Sequence, residues 1–151
     1  MKVSECMTSR VETVSPDQPI SKAAQTMLST DAGSMPVCEG GRVVGMLTDR
    51  DIAVRGVAKG LGSDTAVRDV MSSDILCCYD DQDVTEVADQ MKESQVRRIP
   101  VMSRDEQLVG IVSLGDLSRS HANEAASRAL EGVSEPGGEH NQSHAQAEVA
   151  Y

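Results

Sequence analysis

Apolar residues recur along the chain with two different periods, and the switches between them outline the elements. Ile20, Ala23, Ala24, Met27 and Leu28 fall at i, i+3, i+4, i+7 and i+8, which predicts an amphipathic helix with all five on its inner face. Val84, Val87, Ala88 and Met91 echo that spacing, and Ser21 or Asp83 is placed to help start each helix. The runs "SMPVCEGGRVVGMLT" (34–48) and "RIPVMSRDEQLVGIVS" (98–113) each read as two strands joined by a polar turn. Their β-branched, near-continuous apolar character predicts burial on both faces. The shorter stretches "TVSP" (13–16) and "LCCYD" (76–80) read as single strands. After each hairpin a helix is expected to begin at Thr48 or Ser113, carrying Ile52 and Val57, or Leu117 and His121, inward.

The two halves of this pattern are copies. Met7 aligns with Met71, Ala24 with Ala88, Met27 with Met91 and Pro36 with Pro100 at an offset of 64; Gly45/Gly110, Thr48/Ser113 and Asp51/Asp116 align at 65. One inserted residue explains the step, and it falls where "CEGGR" faces "MSRDEQ", a turn that tolerates insertion. The repeats span 3–58 and 67–121, with a linker at 59–66. Each reads strand, helix, strand, strand, helix and is too small to bury a core alone, so two must pack together in an α+β fold. A helical extension is expected over 122–131. Beyond it, 132–151 holds only Val133 and Val149 as aliphatic residues other than Ala and reads as a disordered tail.

Composition narrows the function. The 151 residues hold no Trp or Phe and two Tyr, so Val, Ile, Leu, Ala and eight adaptable Met must fill the interior. A net charge of −10 repels phosphate backbones and anionic membranes, and without aromatic platforms single-stranded bases have nothing to stack on. The N-terminus "MKVSECMTSR" has no apolar leader region and no 18-residue apolar run occurs, so a cytoplasmic chain is expected. Cys6, Cys38, Cys77 and Cys78 lack C-x-x-C spacing and read as buried, reduced thiols. His140 and His144 lie in the polar tail, so no metal site is expected. Neither a phosphate loop nor a Ser/His/Asp order appears, which argues against an enzyme.

The duplicated "TDRD" and "SLGD" place a hydroxyl three residues before an Asp, directly after an apolar strand. On spacing alone this is the S/T-x-x-D form of a capping box. The segments around it, "AAQTM…GSMPV…GRVVGMLTDRDI" and "VADQM…VRRIPV…QLVGIVSLGDL", preceded by "VSECMT" and "VRDVMS", resemble the cystathionine β-synthase (CBS) domain family. The match covers about 3–121 as a stand-alone tandem pair, similar to small bacterial members of the hypoxic-response type. The resemblance implies two β-α-β-β-α repeats packed pseudo-symmetrically, with an adenine nucleotide in the cleft between them. In that reading Thr48 and Ser113 help hold a phosphate, while Asp51 and Asp116 accept hydrogen bonds from ribose hydroxyls.

Carried over by position, the Asp116 pocket contains Ile111 and Ser113 with Met7, Val11, Glu12, Ala32 and Gly33. The Asp51 pocket contains Met46 and Thr48 with Met71, Ile75, Leu76, Val96 and Arg97. Adenine would lie between aliphatic side chains, which suits a chain without stacking aromatics. Arg97 and Arg98 carry guanidinium forks suited to phosphate oxygens, and Arg50 is a further candidate. The first repeat has Gly33 and Ser34 where the second has this Arg pair, so an anionic ligand is expected to prefer one site. The resemblance also implies a homodimer acting through an unidentified effector protein. No cofactor is required; the nucleotide (AMP, ADP, ATP or NAD class) is a regulatory ligand. The alternative is a ligand-independent dimeric scaffold in which both Asp residues only cap helices.

Overall fold

Pro36 and Pro100, each one or two residues into an apolar run, open the two hairpins of the chain. The computed structural model describes residues 1–120 and 123–134. Its helices are α1 (Ile20–Thr30), α2 (Asp49–Asp51), α3 (Val84–Ser94), α4 (Leu114–Arg119) and α5 (Asn123–Val133). Its strands are β1 (Ser34–Glu39), β2 (Arg42–Thr48), β3 (Cys78–Tyr79), β4 (Arg98–Met102) and β5 (Leu108–Ser113). β1 and β2 form a two-stranded antiparallel sheet, and the other three form a sheet in the order β3-β4-β5. The first strand of each hairpin is the buried one, Met35–Val37 and Ile99–Met102, whereas β2 and β5 alternate. Expected burial on both faces thus holds for one strand of each pair. Gly40 and Gly41 both take positive φ (60° and 80°) in the two-residue β1–β2 turn, a combination that suits the strand twist and that side chains resist.

Two compact units cut across the sequence repeats. The first comprises 1–8, 78–101 and the described residues from 111 onward. Here the lead-in of repeat 1 joins repeat 2: the Val3 N–H donates to the Gln82 carbonyl (2.9 Å), and Thr8 exchanges backbone hydrogen bonds with Ile111 (2.8 and 2.9 Å). Val3, Val87, Ala88, Met91, Ile99, Val112 and Leu117 are wholly buried in it. α5 lies on α3 so closely that a Cβ on Gly132 would stand 2.6 Å from the Lys92 Cα, so only glycine fits. Asp83 caps α3, accepting from the Thr85 N–H (2.8 Å), and that bond holds its carboxyl below the usual range.

The second unit comprises 9–77 and 102–110. Its core gathers Val14, Ile20, Ala23, Met27, Met35, Val37 and Leu47 around Val67 and Val70 from the lead-in of repeat 2. Ser72 exchanges backbone hydrogen bonds with Met46 (both 2.9 Å), as Thr8 does with Ile111 in the first unit. The lead-ins are therefore exchanged between the repeats, which boundaries drawn from sequence similarity do not reveal.

Some expectations are corrected. Ala24 and Leu28 do not face inward on α1: Leu28 is 85% exposed, because the buried stripe narrows to Ile20, Ala23 and Met27. Val57 is exposed as well, since α2 continues as a π-helix (Ile52–Gly56) and then a 3-10 turn, and the altered period rotates Val57 outward. "TVSP" forms no strand but a single parallel bridge, Val14 to Val37. Of the cysteines only Cys78 is buried; Cys6, Cys38 and Cys77 are half-buried, and all four are reduced. Residues 132 and 133, expected in the disordered tail, belong to α5, where Gly132 is buried; His121 and 135–151, including His140 and His144, lie outside the described residues.

Candidate functional site

Each apolar strand that ends in a hydroxyl runs straight into a helix, and this junction builds the motif. In the second unit Thr48 is extended at the N-cap. Its Oγ1 accepts the Asp51 N–H (3.0 Å), while Asp51 Oδ2 accepts the Thr48 N–H (3.0 Å). In the first unit Ser113 and Asp116 repeat the exchange at 3.1 and 3.0 Å. Both boxes are complete, so the capping reading is correct for both copies. A box of this kind fixes each carboxylate in one orientation. Among the described residues that oxygen is used only as an acceptor, which leaves the hydroxyl proton of Thr48 or Ser113 available.

The surroundings of the two carboxylates differ. Asp116 is buried (6% exposed), and its Oδ1 accepts from Thr8 Oγ1 (3.2 Å) and from Arg119 Nη2 (2.7 Å). Asp51 keeps 14% of its side chain exposed, and the nearest cation, Arg55 Nε, stands 3.9 Å from its Oδ1. Arg55 instead donates to the carbonyls of Val70 (3.4 Å) and Met71 (3.0 Å). Cys6 lies beside Asp116: burial pushes its thiol up, a hydrogen bond with Ser120 opposes this, and the charges of Asp116 and Glu5 raise it further.

The sequence-derived residues fall into both units. Met7, Val96, Arg97, Arg98, Ile111, Ser113 and Asp116 belong to the first; Val11, Glu12, Ala32, Gly33, Met46, Thr48, Asp51, Met71, Ile75 and Leu76 belong to the second. Within the first, Ile111 pairs with Thr8 next to Met7, and the Arg97 carbonyl accepts the Leu114 N–H (3.1 Å). Within the second, the Gly33 carbonyl accepts the Asp49 N–H (2.9 Å), and Met71 lies against Gly45 beside Met46. A Cβ on Gly33 would meet the Asp49 carboxylate at 3.0 Å, so glycine is what admits that acid. Val11, Glu12, Ile75 and Leu76 share this unit without a hydrogen bond to the motif among the described residues. Arg97 and Arg98 are exposed.

Sequence reasoning missed Thr8 and Arg119. The duplicated "MT"/"MS" of the lead-ins signals the first, and the i, i+3 spacing of Arg119 from Asp116 signals the second. Among the described residues, no group of three or more His, Cys, Asp or Glu stands close enough to hold a metal ion, and no helix is long and apolar enough to cross a membrane.

Known proteins share this construction. The chain is 41% identical to the CBS domain-containing protein YhcV of Bacillus subtilis over 133 residues, 87% of this chain and 94% of that one. It is 35% identical to Hypoxic response protein 1 of Mycobacterium tuberculosis over 134 residues, 87% and 93% of the two chains. A crystal structure of Hypoxic Response Protein I with two coordinated zinc ions superposes with a TM-score of 0.73 at 36% identity, covering 79% of this chain and 98% of that one. The fold is also that of CBSX2 in complex with AMP, at a TM-score of 0.71 and 24% identity over 82% and 97% of the chains. The CBS domain model matches residues 3–56 and again 67–123, so the chain belongs to the CBS domain family and carries two repeats of it.

Proposed function

We propose that the chain is a regulatory module that binds an adenosine-containing ligand, not an enzyme, and that its duplicated hydroxyl-x-x-Asp motif holds the ribose. The observation that carries this reading is the pair of completed capping boxes. Each fixes a carboxylate by its own backbone, and at Asp51 an oxygen is left without a hydrogen-bond donor among the described residues. A fixed carboxylate can accept both hydroxyls of a cis-diol in charge-assisted hydrogen bonds. The Thr48 or Ser113 proton is available to a phosphate oxygen, and the exposed Arg97 and Arg98 supply forks for the same group. Met7, Val11, Ile111, Met46, Met71, Ile75, Leu76 and Val96, with Glu12, Ala32 and Gly33, are assigned to the adenine. Backbone groups then read the ring edge. Signalling runs through a homodimer or an effector protein in the cytoplasm.

The scaffold reading rests on a separate observation, the exposed Leu28 and Val57, whose apolar side chains suit a partner surface. A thermal-shift panel of AMP, ADP, ATP, NAD and S-adenosylmethionine separates the two. A ligand at 100 times its Kd adds about 2.7 kcal/mol, which raises the melting temperature of a chain this size by roughly 5–10 °C. A melting point that responds to protein concentration and to none of the five would establish the scaffold instead.

A further inference from the structure

A carboxylate has about four acceptor positions, and a ribose diol needs two of them. At Asp116 three are filled from within the chain, by the Ser113 N–H, the Thr8 hydroxyl and the Arg119 guanidinium. At Asp51, among the described residues, the Thr48 N–H fills one, and Arg55 forms only a 3.9 Å ion pair, beyond hydrogen-bond distance. The local sequence makes this difference. In "SLGDLSR" the Arg stands three residues after the Asp and folds back over Gly115, where a Cβ would meet Arg119 Nη1 at 3.3 Å. In "TDRDIAVR" the glycine position holds Arg50, the Arg119 position holds Val54, and Arg55 comes one residue later, bound to the Val70 and Met71 carbonyls.

We infer that Arg119 is a specificity-determining residue that occupies the Asp116 carboxylate in competition with ribose, making Asp51 the stronger of the two ligand positions. The inference rests on the adenosine reading above. Arg119 itself is 74% exposed, so its guanidinium can leave Asp116 for water at modest cost, and the competition weakens the Asp116 position without abolishing it. The same exposure means that removing Arg119 leaves the packing of α4 untouched.

The test is calorimetric titration of adenosine and AMP into the unsubstituted chain, Asp51→Ala, and Asp51→Ala combined with Arg119→Ala or Arg119→Lys. With Asp51 removed, Arg119→Ala is expected to tighten adenosine about twofold to fivefold, the equivalent of one partly exposed ion pair, and Arg119→Lys to tighten it less. Unchanged or weaker adenosine binding in the variant that combines Asp51→Ala with Arg119→Ala would overturn the inference. So would failure of all three Asp51→Ala proteins to bind while the unsubstituted chain does. Failure of the unsubstituted chain to bind adenosine or AMP is the separate outcome that removes the adenosine reading itself.

Discussion

Asp51 and Asp116 sit at the same step of the same repeat, 65 residues apart, each held by a completed capping box. Their neighbours make them different instruments, since Asp116 is enclosed by Thr8 and Arg119 while Asp51 keeps an oxygen open. The helices that precede them diverge in the same direction. α3 is covered by α5 and its Ala88 is completely buried; on α1 the counterpart of that residue, Ala24, is exposed. Duplication therefore preserved the backbone and the cap, and the divergence lies in what touches them. A motif match alone would assign both copies one role.

The largest effect should come from the helices. Ala88→Asp places an unpaired carboxylate beneath α5 and is expected to destabilise the fold by about 3 kcal/mol or more, whereas Ala24→Asp should stay within about 0.5 kcal/mol. Paired urea melts measure the difference. An equal loss at the two positions would mean that α1 is covered as fully as α3, and the comparison would break.

A smaller effect sharpens the contrast at the lead-ins, where Cys6 stands in the position that Val70 takes 64 residues later. Burial and the negative charges of Asp116 and Glu5 hold the Cys6 thiol above its ordinary range, against the Ser120 hydrogen bond. A thiol held there keeps its reactive thiolate scarce at neutral pH, and the thiolate becomes abundant only well above about pH 8.5, where an ordinary cysteine titrates. Iodoacetamide labelling followed by mass spectrometry should find Cys6 slow at pH 7 and accelerating through alkaline pH. Asp116→Asn, which removes one of the opposing charges, should quicken it. Labelling at the rate of a free thiol at pH 7 would place Cys6 outside that environment.

Much of this was readable from the chain itself, for physical reasons that can be named. The hairpins were legible because β-branched runs punctuated by Gly40–Gly41 and by 103–107 admit few other conformations. The capping boxes were legible because an N-cap hydroxyl and an N3 carboxylate are a local device, settled within four residues. Leu28 and Val57 were misread because periodicity reports which residues share a helix face, while the neighbours present decide how wide a stripe is covered. The exchanged lead-ins and the Thr8 bond to Asp116 depend on residues far apart in the chain, and no local pattern encodes such a pairing. Arg119 lay within reach of local reasoning, at helical spacing from Asp116. Its importance becomes visible only once the carboxylate's other partners are counted.

The most direct measurement is a calorimetric titration of AMP into the unsubstituted chain, Asp51→Ala and Asp116→Ala, each first shown to be folded by circular dichroism. A charge-assisted hydrogen bond to ribose contributes about 1.5–3 kcal/mol, so Asp51→Ala should weaken the stronger binding event about 10- to 100-fold. Asp116→Ala should change that event by less than about threefold, because its carboxylate is already engaged within the chain. Equal losses in the two variants, or a larger loss in Asp116→Ala, would contradict the account.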